Sequence, residues 1–114
     1  IFNMQKYIKI KDVPSKGHLL IPCGSGAQIL KVTPDTASPY TVTKVRYMFF
    51  DNAEEVMTIT NTSTTVLGDY VAYVNNLMDA LYDTANQLPY TMPMLNVATN
   101  QFGLGITDVQ LSGT

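Results

Sequence analysis

Residues 5–11, QKYIKIK, alternate: Ile8 and Ile10 fall on one side, Tyr7, Lys9 and Lys11 on the other. A period of two is that of a half-buried strand. DVPSKG (12–17) is a cluster of turn formers, and residues 18–21 resume as a short apolar strand that Pro22 and Gly24 break. QILKVT (28–33) predicts a third strand, and PDTASP (34–39) a loop opened by Pro-Asp turn chemistry. YTVTKVRYMFF (40–50) is rich in β-branched and aromatic residues and free of Pro and Gly, the strongest strand signal in the chain. Asp51-Asn52-Ala53 reverses it, and EEVMTIT (54–60) returns as the second arm of a β-hairpin.

The period then changes. Val66, Leu67, Tyr70, Val71, Val74, Leu77, Met78, Leu81, Tyr82, Ala85 and Leu88 recur at steps of three and four. That spacing predicts one long amphipathic helix over about 66–88, with its Met and Tyr residues in the core. Thr64 or Thr65 is placed to cap it, and Asp69 lies in the first turn, where the helix dipole favours an anion. Asn75, Asn76, Asp79, Asp83, Asn86 and Gln87 form the opposite face, and Pro89 forbids continuation. Beyond it, residues 89–93 read as extended, 94–97 as a strand and NQFGLG (100–105) as a turn. Residues 106–111 read as a closing strand with Thr107, Val109 and Leu111 on one face.

These elements predict an α+β fold: a mostly antiparallel sheet, flat or curled, packed against one long helix. The whole of 1–114 reads as one domain, with Met4 the expected natural start behind Ile1-Phe2-Asn3. One helix shields one face of a sheet. The other face, to which some of Tyr7, Tyr40, Tyr47, Met48 and Phe50 are expected to belong, must meet solvent, close on itself or meet another chain. A homo-oligomer is the expectation.

Composition points the same way. Only 14% of residues are charged, against about 25% in an average protein, and interface cores are depleted in charge. The net charge is −2 and the seven Lys and Arg are scattered, without the basic footprint of a nucleic-acid binder. No apolar run reaches the length of about 20 residues that spans a bilayer. The start lacks the charged and apolar regions of a signal peptide.

The candidate chemistry centres on IPCGSGA (21–27), with the single cysteine, Cys23, and the single histidine, His18, five residues upstream. A nucleophile elbow needs Gly-x-Ser-x-Gly between a strand and a helix. Here the glycines are misplaced and a strand follows. A phosphate loop needs a longer glycine pattern opening a helix. A Cys-His pair needs surroundings that lower the thiol pKa. The stretch reads as a glycine turn. Asp79 and Asp83, one helical turn apart, and Asp51 with Glu54 and Glu55 read as solvated charge. Asn61-Thr62-Ser63 matches a glycosylation acceptor that has no use without secretion. The expectation is a chain with no catalytic, cofactor-binding or metal-binding residues, no nucleic-acid partner and no membrane span.

Three features together carry a resemblance: MQKYIKI at 4–10, the strand VMTITNTST at 56–64, and the helix VLGDYVAYVNNLMDALYDTANQLP at 66–89 followed by a closing strand. This layout, over about 4–111, is similar to that of small structural proteins of marine tailed phages. The resemblance implies a virion or virion-associated component that assembles with itself and with other virion proteins, in the virion or the host cytoplasm. It carries over no functional residue. The competing expectation is a small-ligand binding module with a pocket between helix and sheet.

Overall fold

The computed structural model describes residues 6–24, 27–49, 51–86 and 94–113. Seven strands and one helix follow in the order β1 (Tyr7–Val13), β2 (Gly17–Pro22), β3 (Ala27–Pro34), β4 (Val42–Phe49), β5 (Glu54–Asn61), α1 (Leu67–Asn86), β6 (Met94–Val97) and β7 (Ile106–Gly113). The fold is α+β and mostly antiparallel, as the patterning predicts. The strands form two open sheets rather than one: three strands in the order β2-β1-β6 and four in the order β3-β4-β5-β7.

The split occurs at the turn after β2. The Cys23 amide donates to the Lys6 carbonyl (2.9 Å), the last bond tying this segment to the start of β1, and the Ala27 amide donates to Gly24 O (3.0 Å). The chain thereby turns away from β1–β2 and opens β3 against β4, pairing Ala27 with Phe49 and Val32 with Val45. The free side of β1 is taken by β6, which runs parallel to it with Tyr7 opposite Met94 and Ile10 opposite Val97. Parallel neighbours need a long connection, which α1 and its flanks supply.

Local chemistry explains the turns. β1 runs past its expected end to Val13, with an irregularity between Ile10 and Val13, where Asp12 takes a φ of 58°. The β1–β2 turn closes with Lys16 N–H donating to Val13 O (3.0 Å). It ends on Gly17 at φ 76°, a left-handed value at which a side chain is strained. The β4–β5 hairpin forms as predicted, Val42 opposite Thr60 and Met48 opposite Glu54. In its loop Asp51 Oδ1 accepts from Ala53 N–H (3.0 Å).

α1 begins at Leu67 with Val66 at its N-cap position, so the expected cap by Thr64 or Thr65 is corrected: Thr64 Oγ1 accepts from Val66 N–H (3.1 Å) in a turn that leads into the helix. The helix is described as far as Asn86; Gln87, Leu88, Pro89 and the expected extended run 89–93 lie outside the described residues. Near its C-terminus Lys6 Nζ donates to Ala85 O (3.3 Å), a cation where the dipole wants one.

One core joins both sheets to this helix. Ile8, Ile10 and Ile21 of the smaller sheet, Val45, Tyr47, Met57 and Ile59 of the larger, and Tyr70, Tyr73, Leu77 and Leu81 of α1 belong to one buried cluster. Tyr73 and Thr84 are buried although the apolar spacing omits them. The closing strand keeps its expected face, with Val109 opposite Ile59 and Leu111 opposite Met57.

At the N-terminal end of α1, one phenol organises the neighbourhood. Tyr70 OH donates to Val42 O (2.8 Å), accepts from Asp35 N–H (2.7 Å) and bonds Thr43 Oγ1 (2.9 Å). Its ring stacks on Tyr40 with centroids 5.2 Å apart. Asp35 closes the same loop by accepting from Thr41 N–H (3.1 Å) and Ala37 N–H (3.3 Å). Those two amides, Thr41's first, hold its carboxyl below the usual carboxylate range.

The hydroxyls of Tyr47 and Tyr73, by contrast, are buried without a hydrogen-bond partner among the described residues. This contrast sets a testable pair. Tyr70→Phe should lower stability by about 1–3 kcal/mol, since it strands the Thr43 hydroxyl and the Asp35 amide. Tyr73→Phe should leave it unchanged or raise it, because only an unpaired hydroxyl is lost. Urea unfolding of the two variants decides, and equal losses would refute the assignment of Tyr70 as the polar anchor.

Candidate functional site

The side of the larger sheet that α1 leaves uncovered is mostly polar, with Val42, Met48 and Val56 as its apolar members. Thr43, Val45 and Tyr47 of β4 point to the core and are buried, while the alternate Lys44 and Arg46 are exposed. By register Thr58 and Thr60 of β5 and Lys31 and Thr33 of β3 share that outer side. Arg46 forks onto Glu54 there, with Nη2 at 2.9 Å and Nε at 3.0 Å from Oε1. At that exposure the pair contributes at most about 1 kcal/mol. Of the residues expected to contribute to an uncovered face, Met48 lies there by register, opposite Gln28 and Glu54, whereas Tyr40 and Tyr47 do not. Tyr47 is fully buried toward the helix and Tyr40 is stacked on Tyr70. Phe50 lies outside the described residues.

Most of the large exposed apolar side chains among the described residues lie on or next to the helix, with Leu20, Leu30 and Leu111 on strands. Residues at 3.6 per turn divide the apolar arc of α1 into two stripes. Tyr70, Tyr73, Leu77, Leu81 and Thr84 face the core. Leu67, Val71, Met78 and Tyr82 lie one strip further round and are 55, 47, 45 and 63% exposed. The expectation that every Met and Tyr of the helix is core thus fails at Met78 and Tyr82. They lie on the edge of the arc that faces β3, the edge strand of the larger sheet.

Between that flank and β3 runs a groove. Its larger part, about 600 Å³, is lined by Cys23, Ala27, Ile29 and Val32 on one wall and by Met78, Leu81, Tyr82 and Ala85 on the other, with Gln28 and Asn86 as polar groups. Past Val32 and Met78 it continues as a second hollow of about 270 Å³ against Pro34, Val71 and Asn75, with Tyr70 and Val74 behind. Ionisable side chains contribute only the Cys23 thiol and the Tyr70 and Tyr82 phenols to these walls.

The predicted chemistry maps onto this geometry as follows. Of IPCGSGA, Ser25 and Gly26 lie outside the described residues. A turn follows Cys23 and the next element is strand β3, not the helix that a nucleophile elbow requires. His18 lies near the start of β2 and Cys23 just past its end, and a rise of about 3.3 Å per residue sets them roughly 16 Å apart. His18 Nδ1 accepts from the Asp12 amide (3.2 Å) beside the β1–β2 turn. Cys23 is buried, and its Sγ lies 3.7 Å from Lys6 O. Desolvation pushes the thiol from 9.0 up to about 12, the nearby Lys6 ammonium offsetting only part of the effect. That is the reverse of what an activated cysteine needs.

Asp79 and Asp83 remain on the exposed side of α1, and no cluster of three metal-ligating side chains occurs among the described residues. Asn61, the would-be glycosylation acceptor, is buried. Its Nδ2 donates to Tyr40 O and Thr62 O, both at 2.9 Å, which ties β5 to the loop ahead of β4. The sequence signal for the groove was present in Val71, Met78 and Tyr82, which widen the apolar arc beyond what one contact face needs.

Two measurements follow from the thiol. Ellman's reagent should react slowly with Cys23 in the native protein at neutral pH and rapidly after denaturation; rapid native labelling would contradict the burial. The folded-state pKa of Cys23 is raised above 9.0, so the stability it supplies is complete below 9.0 and is lost as pH climbs through about 12. Burial raises the Tyr47 and Tyr73 phenols in the same sense. The melting temperature should therefore fall in alkali, beginning above pH 9.0. Comparison with known protein families, curated proteins and solved structures finds no match to this chain.

Proposed function

We propose that this chain is a non-catalytic structural subunit that assembles with copies of itself, as a virion or virion-associated component of a tailed phage. The observation that carries the reading is the second apolar stripe of α1. Four large side chains, Leu67, Val71, Met78 and Tyr82, stand about half exposed on one regular element. Large exposed apolar patches mark interaction surfaces more often than idle ones. The low charge content supports the same reading. Its virion part rests on the resemblance to small phage structural proteins.

The groove itself favours a second reading, a small apolar ligand held between helix and sheet, since its volume and lining match those of small-molecule sites. Sedimentation velocity across a dilution series tests the first reading. An oligomer that dissociates reversibly on dilution is expected, and a monomer at every concentration would exclude it. The ligand reading predicts instead a monomer whose melting temperature rises with added apolar small molecules.

A further inference from the structure

We propose that copies of this chain stack head to tail, the outward side of α1 in one copy docking on the outer side of the larger sheet in the next, with Asp79 against Lys44. This deepens the reading of the chain as a self-associating subunit and rests on it. Charge selects a second copy as the occupant, and the layering of the fold sets how it is held.

The outer side of the larger sheet is basic. Lys31 stands directly opposite Arg46, and Lys44 is opposite Thr33 and two residues from Arg46 along β4. Three of the seven basic residues thus share one patch of two strands. Their spacing is about 5 Å across the strands and about 7 Å along them. Like charges facing each other across a strand pair destabilise it unless a counter-charge is supplied. Arg46 has Glu54. Lys31 and Lys44 have no ion-pair partner among the described residues.

α1 is the counterpart. It carries Asp69, Asp79 and Asp83, all exposed, and no basic residue in its 20 positions. At 3.6 residues per turn the three fall within about 80° of one another, and Asp79 lies about 60° from Tyr82 on the apolar flank. Asp69 and Asp79 likewise have no ion-pair partner among the described residues. One chain therefore holds both members of a complementary pair, on surfaces that its own fold keeps apart. Apolar side chains accompany each: Met78 and Tyr82 beside the acids, Val42 and Met48 beside the cations of β4. The net charge of −2 opposes a nucleic acid as the occupant, whereas a second copy brings its own acids.

The layers decide the symmetry. The core lies between α1 and the larger sheet, so the acidic side of the helix and the basic side of the sheet face away from it in different directions. A copy seated by its helix on a neighbour's sheet cannot offer its own sheet to that neighbour's helix. The contact is heterologous, and it closes into a ring or continues as a filament instead of ending at two copies. The eight-residue strands β4 and β5, about 27 Å long, give the helix, about 30 Å long, a bed of its own length.

The test uses the full chain, light scattering after size exclusion over a range of loading concentrations, and circular dichroism to verify folding. The native protein should grow past twice its chain mass of 12.6 kDa as concentration rises. Lys44→Asp and Asp79→Lys, both at exposed positions, should each weaken association by about tenfold or more. An equimolar mixture of the two variants should assemble again, since each supplies the charge that the other lacks, and the double variant should assemble alone. A merely structural effect of either substitution would not be rescued by mixing. A native oligomer that stops at two copies, or that neither charge reversal weakens, would overturn the docking surface while leaving self-association intact; so would two weakened variants that stay apart when mixed. A native monomer at every concentration, including one that takes up duplex DNA through Lys44, would overturn both.

Discussion

One helix has to complete two sheets. Neither sheet closes on itself, and each has a single apolar side that must be removed from water. α1 meets both, and the apolar arc that this demands is broad. Val71, Met78 and Tyr82 continue the arc past the core, so the same helix that finishes the interior also leaves a strip of oily surface beside an edge strand. The groove is a by-product of this geometry. A helix serving one sheet could have been polar over that strip.

The polar interior is arranged around the helix ends. Tyr70 fastens the first turn to the loop before β4, and Lys6 fastens the last turn to the chain ahead of β1. Between them the interior holds neutral groups: buried phenols, threonines and a thiol whose ionisation is opposed by the lack of water. Such an interior suits a scaffold. The same residues that would attract attention as chemistry, Cys23 and His18, serve a turn and a hairpin.

Much of the secondary structure was legible because it rests on local physics. The period-two alternation of Ile8 and Ile10, the turn residues Asp51-Asn52 and the three-four spacing of α1 each act over a few residues. What the sequence hid depends on distant partners. Nothing near Ala27 says that β3 will pair with β4 and not with β2, and nothing in MLNV at 94–97 says that it will lie parallel to β1. Tyr73 is core, as expected of the tyrosines of the helix, although the apolar spacing omits it. Asn61 read as a surface acceptor because its motif is local, whereas its two backbone partners are set by the fold. The groove needed both kinds of information: α1 supplied its ridge, and only the placement of β3 made that ridge one wall of a cleft.

The pairing of β1 with β6, Tyr7 opposite Met94, joins segments far apart in the sequence. β7 likewise covers β5 from beyond α1 and β6. Long-range pairings of this kind bear the entropy of closing a large loop before any contact repays it. During synthesis both β1 and β5 therefore wait with a bare margin of unpaired amides and carbonyls. A ribosome that stops short would release a chain with two sticky borders, prone to join its neighbours indiscriminately. β7 thus acts as a guard: by covering β5 it withdraws a row of backbone groups from indiscriminate pairing between chains.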